Sequence, residues 1–227
     1  MVNFTSCFVQ TLKKHIVTLL ITGLLLHYGC PLYSQTASPQ PQYVDSIKVH
    51  FLYGSRPYAK YKKSERKWFG GVLGGHVGIE TDSGHILNFR MNGNFHLFTN
   101  NNKKHSRFDD LDYTDFYSIF GSDPDSIKRA IITIPITSWQ KKKLDSINAQ
   151  YLKDCPYDYA LIGMRCSAAA YEILGQLGIM KNYSHRKTYW KIFYPMKLRR
   201  RVLDKAIENN WSVERQEGTF RRKWEKH

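Results

Sequence analysis

The sequence has 227 residues, of which 42% are hydrophobic, 14% aromatic and 23% charged. This composition excludes a disordered chain, a collagen-like chain and a coiled coil, and the length is sufficient for one domain with a substantial core. The 34 basic residues outnumber the 19 acidic ones, so the formal net charge is +15, which predicts an anionic partner. The four cysteines are too few for a fold that is built on disulfides.

The first 34 residues have the pattern of an export signal. Two lysines precede the apolar run Ile16–Leu26, and Ser34 offers a cleavage site after it. The run is shorter than the about 20 residues that a membrane-spanning helix needs. We therefore expect a signal peptide over residues 1–34 and an exported protein of the periplasm or outer cell envelope. An uncleaved anchor and a lipoprotein attached through Cys30 stay as alternatives.

The rest of the chain predicts a short flexible leader, residues 35–43, and a single domain, residues 44–227. Strands grouped before and between helices predict an α+β fold. In chain order, the predicted elements are a strand over Val44–Tyr53, a basic loop over Arg56–Lys67, a hairpin of His76–Glu80 and His85–Phe89, a short strand within Phe95–Phe98, a strand over Ala130–Ile136, helices over Thr137–Lys153, Gly163–Leu177 and Pro195–Asn209, and a terminal hairpin over Trp211–Trp224.

Local capping and turn signals support several of these boundaries. Thr137 and Gln140 have the spacing of a capping box, and Gly178 is suited to end the second helix. Pro195 fits the first turn of the third helix, and Gly218 fits the turn of the terminal hairpin.

Cys166 is the candidate nucleophile. The apolar spacing of Ala170, Ile173, Leu174 and Leu177 gives the second helix one buried face and places Cys166 in its first turn. Unpaired N–H groups at a helix N-terminus favour thiolate over thiol, and thiolate is the reactive form. The neighbouring Arg165 would add positive charge if it points toward the sulfur. A small apolar side chain in a core helix is the structural alternative.

His76 and Asn88 are the candidate partners of this cysteine. The glycine-rich stretch before His76 leaves room for another element to approach closely, but it lacks the pattern of a phosphate-binding loop. Asn88 lies 12 residues later, across the predicted hairpin, where its amide could fix the imidazole tautomer. Glu80 and His85 are rivals for this orienting role. The residue types suit a Cys–His–polar site for acyl transfer.

Two short motifs resemble a known family. The stretch GHVGIETDSGHILNF, residues 75–89, resembles the histidine motif of the circularly permuted, NlpC-type papain-like hydrolases, whose relatives include lecithin retinol acyltransferase. Residues 157–159 (YDY) and 165–167 (RCS) resemble the Y-D, then C-S-E, pattern of that family, although Ala168 replaces the acid and Asn88 stands where many members have His or Glu. The resemblance covers roughly residues 72–177.

The resemblance implies a permuted papain-like core in which an antiparallel sheet packs on a cysteine-bearing helix. It also implies a cysteine nucleophile that hydrolyses or transfers an amide, thioester or ester acyl group. Together with the export signal, this predicts an exported amidase-like or peptidase-like cysteine hydrolase, or an acyltransferase, that acts on cell-wall peptide amides or lipid acyl groups. The alternative is a non-catalytic envelope protein that binds through its basic surface or has a structural role. The sequence leaves the substrate, the choice between hydrolysis and transfer, and the oligomeric state open.

The basic residues form two clusters, one in Arg56–Lys67 and one on the C-terminal helix around Arg199, Arg200 and Arg201. We expect a solvated basic surface that meets an anionic envelope; the export signal argues against nucleic acid as the partner. Cys155 and Cys166 are separated by a run that predicts extended chain, too long for a bridge, so two free thiols are expected. We expect neither a metal nor a cofactor, because His50, His85, His96 and His105 lack helical zinc-site spacing and no C-x-x-C occurs.

Overall fold

A six-stranded antiparallel sheet organises the chain in the computed structural model, which describes residues 42–65, 74–82, 84–94, 96–99, 105–118 and 124–226. These residues belong to one compact unit, Pro41–His227. Their strands are β1 (Tyr43–Leu52), β2 (Ser55–Pro57), β3 (His76–Asp82), β4 (His85–Met91), β5 (His96–Phe98), β6 (Ser106–Asp112), β7 (Arg129–Thr137), β8 (Ala160–Ile162), β9 (Ser212–Gln216) and β10 (Arg222–Trp224). Their helices are α1 (Tyr113–Ser118), α2 (Ser138–Lys153), α3 (Cys166–Gln176), α4 (His185–Lys191) and α5 (Pro195–Glu208), with 3-10 turns at Ala59–Tyr61 and Pro124–Ser126.

The strand order of the main sheet is β6-β4-β3-β1-β7-β9, and all neighbouring pairs are antiparallel. Two small sheets accompany it: β2 pairs with β10 antiparallel, and β5 pairs with β8 parallel. Helix α3 packs against β3 and β4. The predicted α+β class is therefore confirmed, with an antiparallel sheet that carries the cysteine-bearing helix on one side.

The two faces of the sheet are both covered, by different helices. Ile47, Val49 and Phe51 of β1 share one side, as the alternation in the sequence predicts, and belong to the large core formed with α2, α3 and α5. On the other face, Leu52 packs in a smaller cluster with Phe116 of α1. Successive side chains of a strand point to opposite faces, so β1 and β4 contribute to both cores.

The predicted helix signals are present at the expected ends. Thr137 Oγ1 accepts a hydrogen bond from the Gln140 backbone N–H at 3.3 Å, and Gln140 Oε1 accepts one from the Thr137 N–H at 2.8 Å, which completes the capping box of α2. Gly178 has a positive φ of 71° just after α3, and Pro195 is the first residue of α5. Helix α3 begins at Cys166, three residues later than predicted, because residues 160–162 form β8 against β5.

The predicted terminal hairpin over Trp211–Trp224 is wrong. Strand β9 lies at the edge of the main sheet beside β7, whereas β10 pairs with β2 in a separate sheet. The Gln216 side-chain amide donates to the backbone carbonyls of Pro124 and Ile127, each at 2.9 Å, and this anchors the end of β9 away from β10. Two neighbouring strand patterns in sequence do not show with which strand each will pair.

The predicted basic face around Arg199, Arg200 and Arg201 needs a correction as well. Arg199 is 1% exposed, its guanidinium lies 3.6 Å from the centre of the Tyr53 ring, and Nη1 is 3.1 Å from Glu225 Oε2. Arg200 is exposed. Consecutive helical residues point about 100° apart, so a run of three arginines cannot share one face.

Some predicted features lie outside the described residues, and some described elements were not predicted. The predicted signal peptide over residues 1–34, most of the predicted leader and the glycines of residues 70–71 are not among the described residues. The sequence analysis missed β6, α1 and α4, whose patterns are too short or too polar to stand out. No helix among the described residues is long and apolar enough to cross a bilayer. Neither Cys155 nor Cys166 forms a disulfide, as predicted.

Candidate functional site

Cys166 is the first residue of α3, next to the extended N-cap residue Arg165 (φ −137°, ψ 173°). A short alanine-rich stretch follows the cysteine, and its small side chains let the helix start pack closely on the sheet. Ser167 fixes this end of the helix because its Oγ donates to the backbone carbonyl of Ile192 at 3.0 Å. The Cys166 side chain is buried, with 4% of its surface exposed.

Arg165 stays beside the cysteine, but other partners hold it. Its guanidinium carbon lies 3.8 Å from the centre of the Phe193 ring and 5.0 Å from that of Tyr194. Its Nη2 donates to the Phe193 backbone carbonyl at 2.8 Å. The positive charge is therefore held near the start of α3 without an ion pair to the thiol.

Burial is the dominant influence on the Cys166 thiol and raises its pKa to about 11. The Arg165 charge opposes this shift, as do hydrogen bonds from the backbone N–H groups of Val77, Ser167 and Cys166 itself. The hydrogen bonds at the helix start thus lower the thiol pKa as expected, but burial raises it by more. The expectation of a lowered thiol pKa is wrong for this structure, and the resting side chain is a neutral thiol at pH 7.

His76 and Asn88 are joined directly. His76 Nε2 and Asn88 Oδ1 are 3.0 Å apart, and both side chains are buried. Asn88 Nδ2 donates to the backbone carbonyl of Asp109 at 3.1 Å, which turns Oδ1 toward the imidazole. An amide oxygen only accepts, so the neutral ring carries its proton on Nε2, and Nδ1 is its proton-accepting nitrogen.

Burial lowers the pKa of His76 to about 4, and the Arg90 charge acts in the same direction. The hydrogen bond to Asn88 and the charge of Asp109 oppose this shift. Asp109 also forms ion pairs with Arg90 and Arg107. These ion pairs weaken the effect of the Asp109 charge on the His76 pKa. The imidazole is therefore neutral at pH 7 and is able to accept a proton.

The Cys166 side chain belongs to the large core on the α3 side of the sheet, whereas the His76 ring points to the opposite, α1 side. The Cys166 thiol accepts a hydrogen bond from the backbone N–H of Val77. The Val77 side chain belongs to the core that includes α3. The His76 ring packs on Phe116 of α1, with ring centres 5.6 Å apart. The hydrogen bonds of the described residues do not include one between Cys166 Sγ and a His76 nitrogen. Val77 and His76 are consecutive on β3, so their side chains point to opposite faces, and the structure does not bring the thiol and the imidazole together.

The two rivals for the orienting role have other partners. Glu80 Oε2 is 3.0 Å from His50 Nε2, and Glu80 Oε1 is 3.0 Å from Lys48 Nζ. His85 is exposed and lies 4.0 Å from an Asp110 carboxylate oxygen. Of the three residues that the sequence offered, Asn88 is the one that meets His76.

The motif around residues 157–159 also reaches this site. Tyr159 is buried, and burial raises its pKa, with a further rise from the neighbouring Cys166 thiolate charge. Its backbone N–H donates to Ser106 Oγ at 2.6 Å, and that hydroxyl donates to Asp158 Oδ1 at 3.4 Å. The motif therefore positions a phenol near the cysteine through a buried hydroxyl on β6.

The sequence analysis missed a second polar cluster on the His76 side of the sheet. His50 is 1% exposed, and its Nδ1 is 2.8 Å from the Tyr117 hydroxyl, while its Nε2 is bound to Glu80. A histidine in the middle of an apolar strand was the available signal, but its partners come from other elements. Among the described residues, no group of three or more His, Cys, Asp or Glu side chains could hold a metal ion.

Comparisons of the chain with protein-family models, with curated proteins and with solved structures found no match.

Proposed function

We propose that the protein is a cysteine hydrolase or acyltransferase with a permuted, NlpC-type papain-like site, in which Cys166 is the nucleophile, His76 the general base and Asn88 the orienting residue. The observation that carries the proposal is the 3.0 Å contact between His76 Nε2 and the Asn88 amide oxygen. This contact orients the His76 ring, and Val77, the next residue of the same strand, donates its N–H to the thiol.

The chemistry proceeds from a neutral pair. For the first step the His76 ring has to turn from the α1 side of the sheet toward the thiol. The Cys166 thiol then gives its proton to His76 as the sulfur bonds to the substrate carbonyl carbon, and the carbonyl oxygen takes up the negative charge. The N–H groups of Cys166 and Ser167 at the start of α3 are placed to stabilise this oxyanion. His76 returns the proton to the leaving amine or alcohol. Water, or an acceptor hydroxyl or amine, then cleaves the thioester with His76 again as base, which restores the thiol.

We assign the substrate to the class of cell-wall peptide amides or lipid acyl groups, in an exported protein. The support is the Lys–apolar–Ser34 pattern of the N-terminus and the high positive charge, which suits an anionic envelope. Mass spectrometry of the native protein is expected to find a first residue near Gln35. A lipid-bearing start at Cys30 or a retained Met1 would contradict a cleaved signal at residue 34.

The decisive experiment traps the acyl-enzyme. Purified wild-type protein is incubated with a p-nitrophenyl acyl ester, and the adduct is located by peptide mass spectrometry. We expect acylation on Cys166, none in Cys166→Ser, and unchanged acylation in Cys155→Ser, because Cys155 lies outside the candidate site and its Sγ donates to the Tyr157 carbonyl at 3.3 Å. Absence of any adduct on Cys166 in a folded protein would remove the catalytic proposal.

The pH dependence of alkylation gives a second test of the same site. Because the Cys166 pKa is raised to about 11, the rate of its reaction with iodoacetamide should still be rising above pH 9. Each pH unit below the pKa reduces the thiolate fraction about tenfold. A rate plateau near neutral pH would instead indicate a pre-formed thiolate–imidazolium pair.

A non-catalytic envelope protein is the second candidate. The observation that favours it is the burial of both reactive side chains, 4% exposed for Cys166 and 5% for His76. In that case the His76–Asn88 pair would act as a buried polar link between β3 and β4. The acyl-trapping experiment separates the candidates, because this second function predicts no adduct and equal stability losses for His76 and Asn88 variants.

A further inference from the structure

A cavity of about 590 Å³ lies on the small β2–β10 sheet, well within the size range of small-molecule sites. None of the described side chains that line it is acidic. The residues are three cations and three neutral residues, namely Arg56, Lys62, Lys223, Pro57, Tyr58 and Ala59. The cavity therefore combines a concentrated positive charge with a short apolar and aromatic wall.

Two of these cations face each other across the sheet. Arg56 of β2 and Lys223 of β10 are direct partners in the antiparallel register, and both side chains are exposed. Like charges directly opposite each other destabilise a β-sheet. A local arrangement that opposes folding is typical of functional sites, where a ligand compensates for it.

The cations of the cavity have no carboxylate partner among the described residues. The salt bridges there do not involve Arg56, Lys62 or Lys223. Glu65, which follows the loop, is engaged elsewhere: its oxygens lie 3.4 Å from Arg222 Nη1 and 3.8 Å from Arg221 Nη1. Three positive charges therefore converge on one cavity without an internal anion.

The sheet beneath the cavity is held firmly. Arg222, the residue before Lys223 on β10, is buried, and its Nε donates to Ser55 Oγ at 2.8 Å. The Tyr58 backbone N–H donates to the Arg221 carbonyl at 3.1 Å, and Trp224 Nε1 donates to the Thr219 carbonyl at 2.9 Å. These bonds fix the backbone positions from which the cations project, so little order has to be gained on binding.

We propose that this cavity binds a phosphate-bearing ligand, independently of the chemistry at Cys166. Arg56, Lys62 and Lys223 together match a phosphomonoester dianion, for which guanidinium and ammonium donors form charge-assisted hydrogen bonds. The volume exceeds that of a single phosphate group, and Tyr58 and Pro57 supply a surface for the organic part of the ligand. The ligand is therefore an organic phosphate, either a soluble one or a lipid headgroup.

The test measures binding of glycerol 3-phosphate by isothermal titration calorimetry to the full-length protein at low salt. We expect saturable binding whose Kd rises about tenfold for each cation removed, because a hydrogen bond to a charged group contributes about that factor. The variant is Arg56→Gln with Lys223→Gln. The matched control is Lys142→Gln with Lys143→Gln, which removes two exposed charges from α2 instead.

A sedimentation arm distinguishes the two sources of the phosphate. Vesicles of phosphatidylcholine with phosphatidic acid should pellet the wild-type protein if the ligand is a lipid headgroup, whereas binding of glycerol 3-phosphate alone would indicate a soluble ligand. Either result supports the proposal when the cavity variant no longer binds that probe and the control variant still binds it. Equal losses in both variants would assign the binding to net charge and overturn the proposal, as would no binding to either probe.

The melting temperature without ligand shows whether each variant is folded. Lys223→Gln removes the repulsion from Arg56, so its melting temperature should equal or exceed that of the wild type. The wild type should gain stability from glycerol 3-phosphate and the variant should gain less. A lower melting temperature for Lys223→Gln would contradict the view that the charge pair opposes folding.

Discussion

Two buried histidines lie on the same side of the sheet and differ in the partner that each one has. His50 on β1 is bound at both ring nitrogens, by the Glu80 carboxylate at 3.0 Å and the Tyr117 hydroxyl at 2.8 Å. His76 on β3 is bound at Nε2 by the neutral amide of Asn88. Burial lowers the pKa of both rings.

The difference indicates which histidine is suited to chemistry. His50 and Lys48 hold the Glu80 pKa at about 2, so the carboxylate stays charged and needs these partners. An amide, in contrast, orients His76 and fixes its tautomer without adding charge. The His50 cluster is therefore held by a charged partner, while the His76–Asn88 pair is neutral, which is the state that the proposed function needs in a base.

Replacing each histidine by alanine should separate the two roles. In His76→Ala, the rate of Cys166 acylation should fall about 10²–10⁴-fold, the usual contribution of a general base. In His50→Ala, the rate per folded molecule should change much less, because His50 bonds to Glu80 and Tyr117 and not to the thiol. Stopped-flow release of p-nitrophenol measures both. Equal losses in the two variants would contradict the comparison.

Stability should show the opposite ranking. His50→Ala should lower the free energy of unfolding by about 2–4 kcal/mol, because it leaves a cavity and removes the partner of two buried polar groups. His76→Ala should cost less, because the partner at its Nε2 is a neutral amide and not a carboxylate. Urea unfolding at pH 7, followed by tryptophan fluorescence, gives both values. A larger loss for His76→Ala would make the His76–Asn88 pair the structural one.

The pH dependence of stability should report His76. Its pKa is about 4 in the folded protein and 6.5 in an ordinary environment, so the unfolded chain binds the proton more readily. The stabilising contribution is complete above pH 6.5 and is lost as the pH falls toward 4, by at most about 3 kcal/mol. Urea unfolding of His76→Gln should show a weaker fall over this range. Parallel curves for the two proteins would show that His76 does not titrate in this way.

Asn88 should have the smallest effect of the residues compared. Asn88→Ala removes the orientation of His76 but not the base, so acylation should slow about tenfold, the value of one such hydrogen bond. His85→Ala is the control, because His85 is exposed and contacts Asp110 instead. If the His85 variant lost activity and the Asn88 variant kept it, the orienting role would belong to His85.

Local patterns were enough to predict much of the fold. Alternation identified β1 and the β3–β4 hairpin, the Thr137–Gln140 capping box identified the start of α2, and Gly178 identified the end of α3. Each of these depends on residues close together in the chain. The pairing of β9 and β10 was not predictable in the same way, because their partners, β7 and β2, lie far away in sequence.

The sequence by itself determined which residue types the candidate site contains and where they stand: a cysteine that begins a helix, and a histidine and an asparagine on a hairpin. Only the tertiary structure decided their chemical state. Burial depends on everything that packs around a group, and it raises the pKa of Cys166 and lowers that of His76, against the influence of the helix start and of Asn88. The same reason placed Arg199 in the core beside Glu225 and left Arg56 and Lys223 facing each other across an open cavity.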